Sequence, residues 1–238
     1  MTPLKILFVV TSAATMGAGG EPTGLWFEEL ATPYYAFVDQ GAEVDIVSIA
    51  GGAVPIDPRS KKPKGENPAS VDRFMEDKAA SAKIADTKAI ADIDTSGYDA
   101  VFLPGGHGTM WDLPTSKPLA ATVVDYLDRG KVVAAVCHGP AGLVSAKFAD
   151  GTPLVAGKRV AAFTNSEEVA AGLDKAIPFF LEDRLRELGA KVETAPNFKP
   201  LSIRDGNLIT GQNPASSEGV AKLTLEALKD RAPAAAGQ

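Results

Sequence analysis

The sequence predicts an α/β fold in which a mostly parallel sheet carries helices on both faces. Strand-like apolar runs alternate with helical segments along the chain, the order that builds a parallel sheet through crossover helices. Two of these runs, Ile6 to Val10 and Val132 to Val136, are apolar without alternation, as expected of strands buried on both faces. A glycine loop after Leu103 and a Gly-Pro pair after His138 then mark abrupt exits from strand ends. A chain of 238 residues is long enough to bury a real core and suits one domain over positions 1–231, with a loop insertion at about 50–70.

Taken in order, Leu4 to Val10 is the first strand. Thr11 to Gly20 follows as a small-residue loop without a phosphate-binding fingerprint, since neither GxGxxG nor GxxxxGK[ST] is present. A helix opens at Thr23 or Gly24 and ends near Gly41, with Pro33 expected to kink or split it. Glu43 to Ile49 is the second strand. Ala50 to Asn67 is a long Gly-, Pro- and Lys-containing loop, and Pro55 to Ser60 is placed at a pocket mouth. Val71 to Ala91 is expected to form two surface helices. Ala100 to Leu103 is a short strand, Lys117 to Arg129 an amphipathic helix, and Val132 to Val136 the strand that delivers Cys137. Arg159 to Phe163 is read as another strand, Pro178 to Leu188 as a helix, Lys191 to Thr194 and Leu208 to Thr210 as short strands, and Ser217 to Asp230 as the last helix. Ala232 to Gln238 has the composition of a flexible tail.

Composition excludes several functions. A net charge of −6 argues against a nucleic-acid partner, which needs a basic face to displace counterions. The KKPK cluster at Lys61 to Lys64 reads as a solvated loop. A single cysteine forms no internal disulfide and suits a reducing compartment, so the cytoplasm is expected. The apolar run Ile6 to Val10 is too short for a signal peptide, and no stretch approaches the roughly 20 residues needed to cross a bilayer. No membrane role is expected.

The candidate chemistry centres on Lys131 to Leu143, KVVAAVCHGPAGL, which holds the only cysteine. At a strand-to-helix elbow, Cys137 would face the N–H groups of an opening helix, and their partial positive charge lowers a thiol pKa from about 8.5. The alternative is a small buried hydrophobe at a strand end. Glu29, among Trp26, Leu30 and Pro33, is either a carboxyl kept protonated by desolvation or a solvated glutamate in a first helical turn. Gly105, Gly106 and His107 in PGGHG are oxyanion-hole or pocket candidates, or simply a tight turn, with His107 a possible base for Cys137. Asn165, Glu167 and Glu168 lie beyond a strand end. One acid there would orient His138, unless capping by Asn165 or Ser166 accounts for the segment. Trp26 and Trp111 are candidates for drying a pocket.

The segments AAVCHGPAGL, LPGGHGTMWDLP, TGLWFEEL and TGQNPAS resemble the DJ-1/PfpI superfamily, the class I glutamine amidotransferase-like fold, over nearly the whole chain. The likeness is strongest to a branch of stress-inducible glyoxalase III enzymes and chaperones in which Cys and His are neighbours. It implies a flavodoxin-like three-layer sandwich and a homodimer. It also implies Cys137 as nucleophile, His138 as its partner, Glu168 as the acid orienting the histidine, and Glu29 as the carboxyl beside the thiol, with Gly106 and the His138 backbone holding an oxyanion. Some relatives carry a metal site of two histidines and a carboxylate. Here only His107 and His138 exist and both look engaged elsewhere, so no metal and no other cofactor is expected. The large N-terminal extension of some chaperone relatives is missing, which weakens a holdase role.

The resemblance implies a cofactor-independent lyase of the hydro-lyase class, a glutathione-independent glyoxalase that turns a small dicarbonyl such as methylglyoxal into lactate through a cysteine hemithioacetal. Deglycase activity would derive from the same chemistry. The rival classes are a PfpI-type cysteine amidase or peptidase, and a stress chaperone or redox sensor in which the thiol is idle or oxidised.

Overall fold

A computed structural model describes residues 3–231, and the tail expected over 232–238 lies outside the described residues. A seven-stranded sheet forms the middle layer. In chain order its strands are β1 (Lys5–Val10), β2 (Glu43–Ser48), β3 (Lys88–Ala89), β4 (Ala100–Leu103) and β5 (Val132–Val136), with β8 (Ser202–Asp205) and β9 (Leu208–Gly211) completing it. The spatial order is β3-β2-β1-β4-β5-β9-β8, parallel throughout except for the β8–β9 hairpin.

Successive side chains of β1 divide between two cores, as the strand period of two requires. Ile6, Phe8 and Val10 join the cluster beneath α1 (Phe27–Val38), α2 (Ala69–Glu76) and α8 (Ser217–Arg231), whereas Leu7 and Val9 join the one beneath α5 (Lys117–Asp128). Burial on both faces explains why these strands read as unbroken apolar runs. Phe8 stacks on Phe102 with ring centroids 4.8 Å apart, and Phe37 of α1 meets the edges of both rings.

The three-layer α/β sandwich is as expected, and several elements differ from the sequence reading. Pro33 neither splits nor ends α1, which is one helix; it begins at Phe27, because Leu25 first pairs with Ile56 in an isolated bridge. The two helices after the long loop are α2 and α3 (Lys78–Ala85), followed by the unforeseen edge strand β3. Arg159 to Phe163 does not enter the central sheet. Only Arg159–Val160 forms a strand, β6, which pairs with β7 (Lys191–Val192) in a separate two-stranded sheet. β8 is a further strand absent from the sequence pattern, and its turn to β9 passes through Gly206 at φ 63°. The remaining helices are α4 (Thr109–Asp112), α6 (Asn165–Ala171) and α7 (Leu181–Glu187). Among the described residues, no helix is long and apolar enough to cross a membrane.

The strand order reverses beside β1, and the carboxyl ends of β1, β4 and β5 meet there, where open α/β sheets form their crevice. Truncating Phe102 in the rigid centre removes contacts to two rings. Phe102→Ala is expected to lower stability by about 3–5 kcal/mol, read as a lower urea midpoint at an unchanged m-value.

Candidate active site

Cys137 is the first residue beyond β5, and its backbone is left-handed at φ 61°, one of two non-glycine residues described with positive φ. That conformation is disfavoured for a side chain bearing a Cβ and persists only when neighbours over-determine it. Two hydrogen bonds do so: the Cys137 N–H donates to the Gly211 carbonyl at 2.9 Å, and the Phe163 N–H donates to the Cys137 carbonyl at 2.9 Å. The expected helix beyond it is only a short 3₁₀ segment, Gly139–Leu143.

The glycine loop after β4 closes over this elbow. A Cβ at Gly105 would lie 2.6 Å from the His138 amide nitrogen and 2.8 Å from Glu29 Oε2, so no side chain fits. Gly106 is at φ 102°, and a Cβ there would come within 2.3 Å of the Gly24 carbonyl. The loop thus packs its backbone against both the cysteine elbow and the lead-in to α1. The Gly105 N–H donates to Glu29 Oε2 at 2.7 Å, and the Gly106 N–H is directed at Cys137.

Around the sulfur the sequence candidates divide into two sides. On one side His138 Nδ1 lies 3.2 Å from Cys137 Sγ, and His138 Nε2 is 2.5 Å from Glu168 Oε1. The other oxygen of Glu168 lies 2.9 Å from His107 Nε2, so one carboxylate holds both histidines. On the other side is Glu29, wholly buried, with Oε1 lacking a conventional hydrogen-bond partner and the carboxyl hydrogen bonded to the Cys137 thiol.

Electrostatics separate the two carboxyl groups. Burial raises Glu29 from 4.5 to about 8, against the opposing hydrogen bonds from Cys137 and Gly105. Burial would raise Glu168 as well, but the charge of His138 and hydrogen bonds from both histidines outweigh it and hold Glu168 at about 2. Burial and the neighbouring His138 take His107 down to about 4, so it is neutral near pH 7. The expectation of a resting thiolate is corrected: burial, then the charge of Glu29, pushes Cys137 well above its ordinary value despite the Gly106 N–H. A five-residue 3₁₀ segment offers too little aligned dipole to reverse this.

The neighbours Glu167 and Glu168 divide the two readings offered for their segment. Glu167 forms a capping box with Thr164, rather than with Asn165 or Ser166, while Glu168 faces the histidines. His107, His138 and Glu168 each place a donor atom within 4.8 Å of the others, a spacing a metal ion can use. Two histidines and a carboxylate therefore do come together, engaged with one another. An ion would have to draw His138 Nε2 away from Glu168.

The sulfur opens onto a cavity of about 330 Å³ whose polar side is Cys137, His138, His107 and Arg59. Its apolar wall is Trp26, Phe163, Ala171, Leu173, Phe198 and Pro214. Trp111 is corrected as a pocket candidate: it packs against the second core cluster near Gly17, one turn beyond the loop that faces the thiol. Arg59, Phe163 and Phe198 were not singled out from sequence. For Arg59 a signal existed, since it lies in the Pro55 to Ser60 segment placed at a pocket mouth. It makes a two-point contact with the buried Asp57, which also accepts from Thr23.

A family model described as DJ-1/PfpI matches residues 26–227, and the chain belongs to that family. Among curated proteins it is similar to the glutathione-independent glyoxalase HSP31 of Saccharomyces cerevisiae, with 33% identity over 239 residues covering 97% of this chain and 100% of that protein. Among solved structures, the Rapid Encystment Protein 24 KDa of Francisella tularensis superposes with a TM-score of 0.90 at 38% identity, covering 94% of this chain and 99% of that one. Glyoxalase III of Candida albicans gives 0.83 at 28% identity, covering 94% and 97%.

Glu29 gives a pH signature independent of activity. Below pH 4.5 its carboxyl is protonated in both folded and unfolded chains; between 4.5 and about 8 only the unfolded chain releases the proton. Its contribution to stability is therefore full below 4.5 and is lost as the pH rises to about 8. Wild type should lose on the order of a few kcal/mol across that window relative to Glu29→Gln, measured by urea unfolding at several pH values.

Proposed function

We propose that this protein is a glutathione-independent glyoxalase that converts methylglyoxal to lactate through Cys137, without a cofactor. The observation that carries the reading is a sulfur flanked by an imidazole, His138, and by a buried carboxyl, Glu29, whose pKa of about 8 lets it both take and give a proton near neutrality. The names borne by the yeast and Candida relatives support the same chemistry.

With its Nε2 proton donated to Glu168, His138 presents the Nδ1 lone pair to the thiol. As a substrate aldehyde arrives, His138 takes the thiol proton and sulfur bonds to the aldehyde carbon. The new oxyanion, directed toward the Gly106 N–H, receives a proton from His138 to give the hemithioacetal. Ionised Glu29 then removes the hydrogen from that carbon as a proton, giving an enediolate; the hemithioacetal hydroxyl passes its proton to the former ketone oxygen, and Glu29 returns its proton to the former ketone carbon. The aldehyde carbon is thereby oxidised to a thioester while its neighbour is reduced to an alcohol. Water cleaves the thioester, releasing lactate and the thiol, so that the sum is methylglyoxal plus water. A thiol that is neutral at rest is consistent with this scheme, because its proton is transferred only once an electrophile is in place.

The amidase reading is less well supported, since acyl transfer from an amide does not call for a second proton-exchanging carboxyl against the sulfur. A holdase would need broad exposed apolar surface, and the described residues expose only Val169 and Phe198 as large hydrophobics. A cytoplasmic homodimer forms part of the proposal by family likeness.

Steady-state lactate production from methylglyoxal tests the proposal. Cys137→Ser should abolish turnover, Glu29→Gln should lower kcat by about 10²–10⁴-fold, and both should stay folded by circular dichroism. Turnover surviving in Cys137→Ser would end the thiol mechanism. Prolonged dialysis against a strong chelator should leave kcat unchanged; a loss restored by added divalent metal would assign His107, His138 and Glu168 to an ion instead.

A further inference from the structure

Phe198 is the second non-glycine residue with a left-handed backbone among the described residues, at φ 60°, and the residue is 50% exposed. Burial therefore does not explain why a bulky residue holds this conformation. The surrounding segment is fixed instead by polar contacts. The Phe198 N–H donates to Glu167 Oε1 at 2.8 Å, and Asn213 Nδ2 donates to the same oxygen and to the Lys199 carbonyl. Asn197 exchanges hydrogen bonds with Ser166, and Ala195 with Gln212. This scaffold presents the Phe198 ring beside Phe163, at 6.3 Å between centroids, on the wall of the cavity that holds Cys137.

The cavity exceeds the need of a five-heavy-atom dicarbonyl: about 330 Å³ falls in the range of pockets that take larger ligands. Its polar residues surround the thiol, and Phe163, which packs against His138 at 4.6 Å between ring centroids, carries the apolar lining on to Phe198, with Leu173 on the same cavity. Arg59, the charged side chain at the mouth, is paired with Asp57. An α-oxoaldehyde bound with its aldehyde carbon at Cys137 directs its ketone substituent along that wall.

We infer that the protein's preferred substrates are α-oxoaldehydes with a large apolar, above all aromatic, substituent, and that Phe198 determines that specificity by forming the far wall of the substituent site. This rests on the glyoxalase reading and names its substrate class. Phe198 is a recognition residue and takes no part in the proton transfers.

The test compares phenylglyoxal with methylglyoxal as substrates of wild type, Phe198→Gly and Phe198→Leu. Glycine accepts a positive φ without strain, so Phe198→Gly should fold and melt at or above the wild-type temperature. The ratio of its kcat/KM for phenylglyoxal to that for methylglyoxal should fall at least about tenfold, and Phe198→Leu should restore most of that ratio. Equal losses on both substrates, or none on either, would overturn the inference while leaving the glyoxalase reading intact. Failure of wild type to turn over either aldehyde would instead remove that reading. Calorimetric binding of mandelate and lactate then decides on the wall itself: mandelate must bind more tightly than lactate, and Phe198→Gly must abolish the difference, or the inference fails as well.

Discussion

The backbone reversal at Cys137 is the constraint on which the site depends. A left-handed non-glycine residue costs about 1–3 kcal/mol, and only a rigid surround keeps it. Here β9 grips the amide of Cys137 through Gly211, and the segment entering α6 grips its carbonyl through Phe163. These same two segments continue into Asn213 and Glu168. The conformation of one residue therefore ties the fifth strand to the parts of the chain that complete its surroundings, and the glycine loop after β4 can approach only because the elbow leaves it room.

Two buried carboxyl groups act on one sulfur, Glu29 directly and Glu168 through His138, and are driven in opposite directions. Glu168 faces two imidazoles and stays charged, whereas Glu29 faces a thiol and a single amide donor and stays protonated near neutrality. Separating two like groups by their surroundings is how one pocket acquires both a fixed charge and a mobile proton. The neutral sulfur belongs to this arrangement, since burial already disfavours a thiolate there and any ionisation of Glu29 would set a second negative charge beside it.

Much of this architecture is legible in the chain. The doubly buried strands β1 and β5 are read from runs of apolar residues, and the glycines after Leu103 point to backbone approaching backbone. What escapes is non-local. Val160 pairs with Val192 away from the central sheet, where β9 takes the place beside β5 and β8 the edge, and no local pattern in Arg159 to Phe163 records the competition. Likewise, the charge state of Cys137 follows from its burial and then from Glu29, more than a hundred positions earlier, and cannot be inferred from a strand and a Gly-Pro turn. Phe198 lies in a short Pro-flanked turn with nothing locally distinctive; its place on the pocket wall comes from Glu167 and Asn213.

The pairing of Glu167 with Glu168 has an evolutionary corollary. Adjacent side chains on one helical turn point about 100° apart, and here one anchors the Thr164 start and the Phe198 turn while the other meets the histidines. Because the cap sets the phase of the helix, shifting the chain by a single position would swap the two acids and disable scaffold and chemistry together. Divergence in this family should therefore favour substitutions over insertions or deletions between Phe163 and Glu168, with length variation confined to segments beyond Gly172.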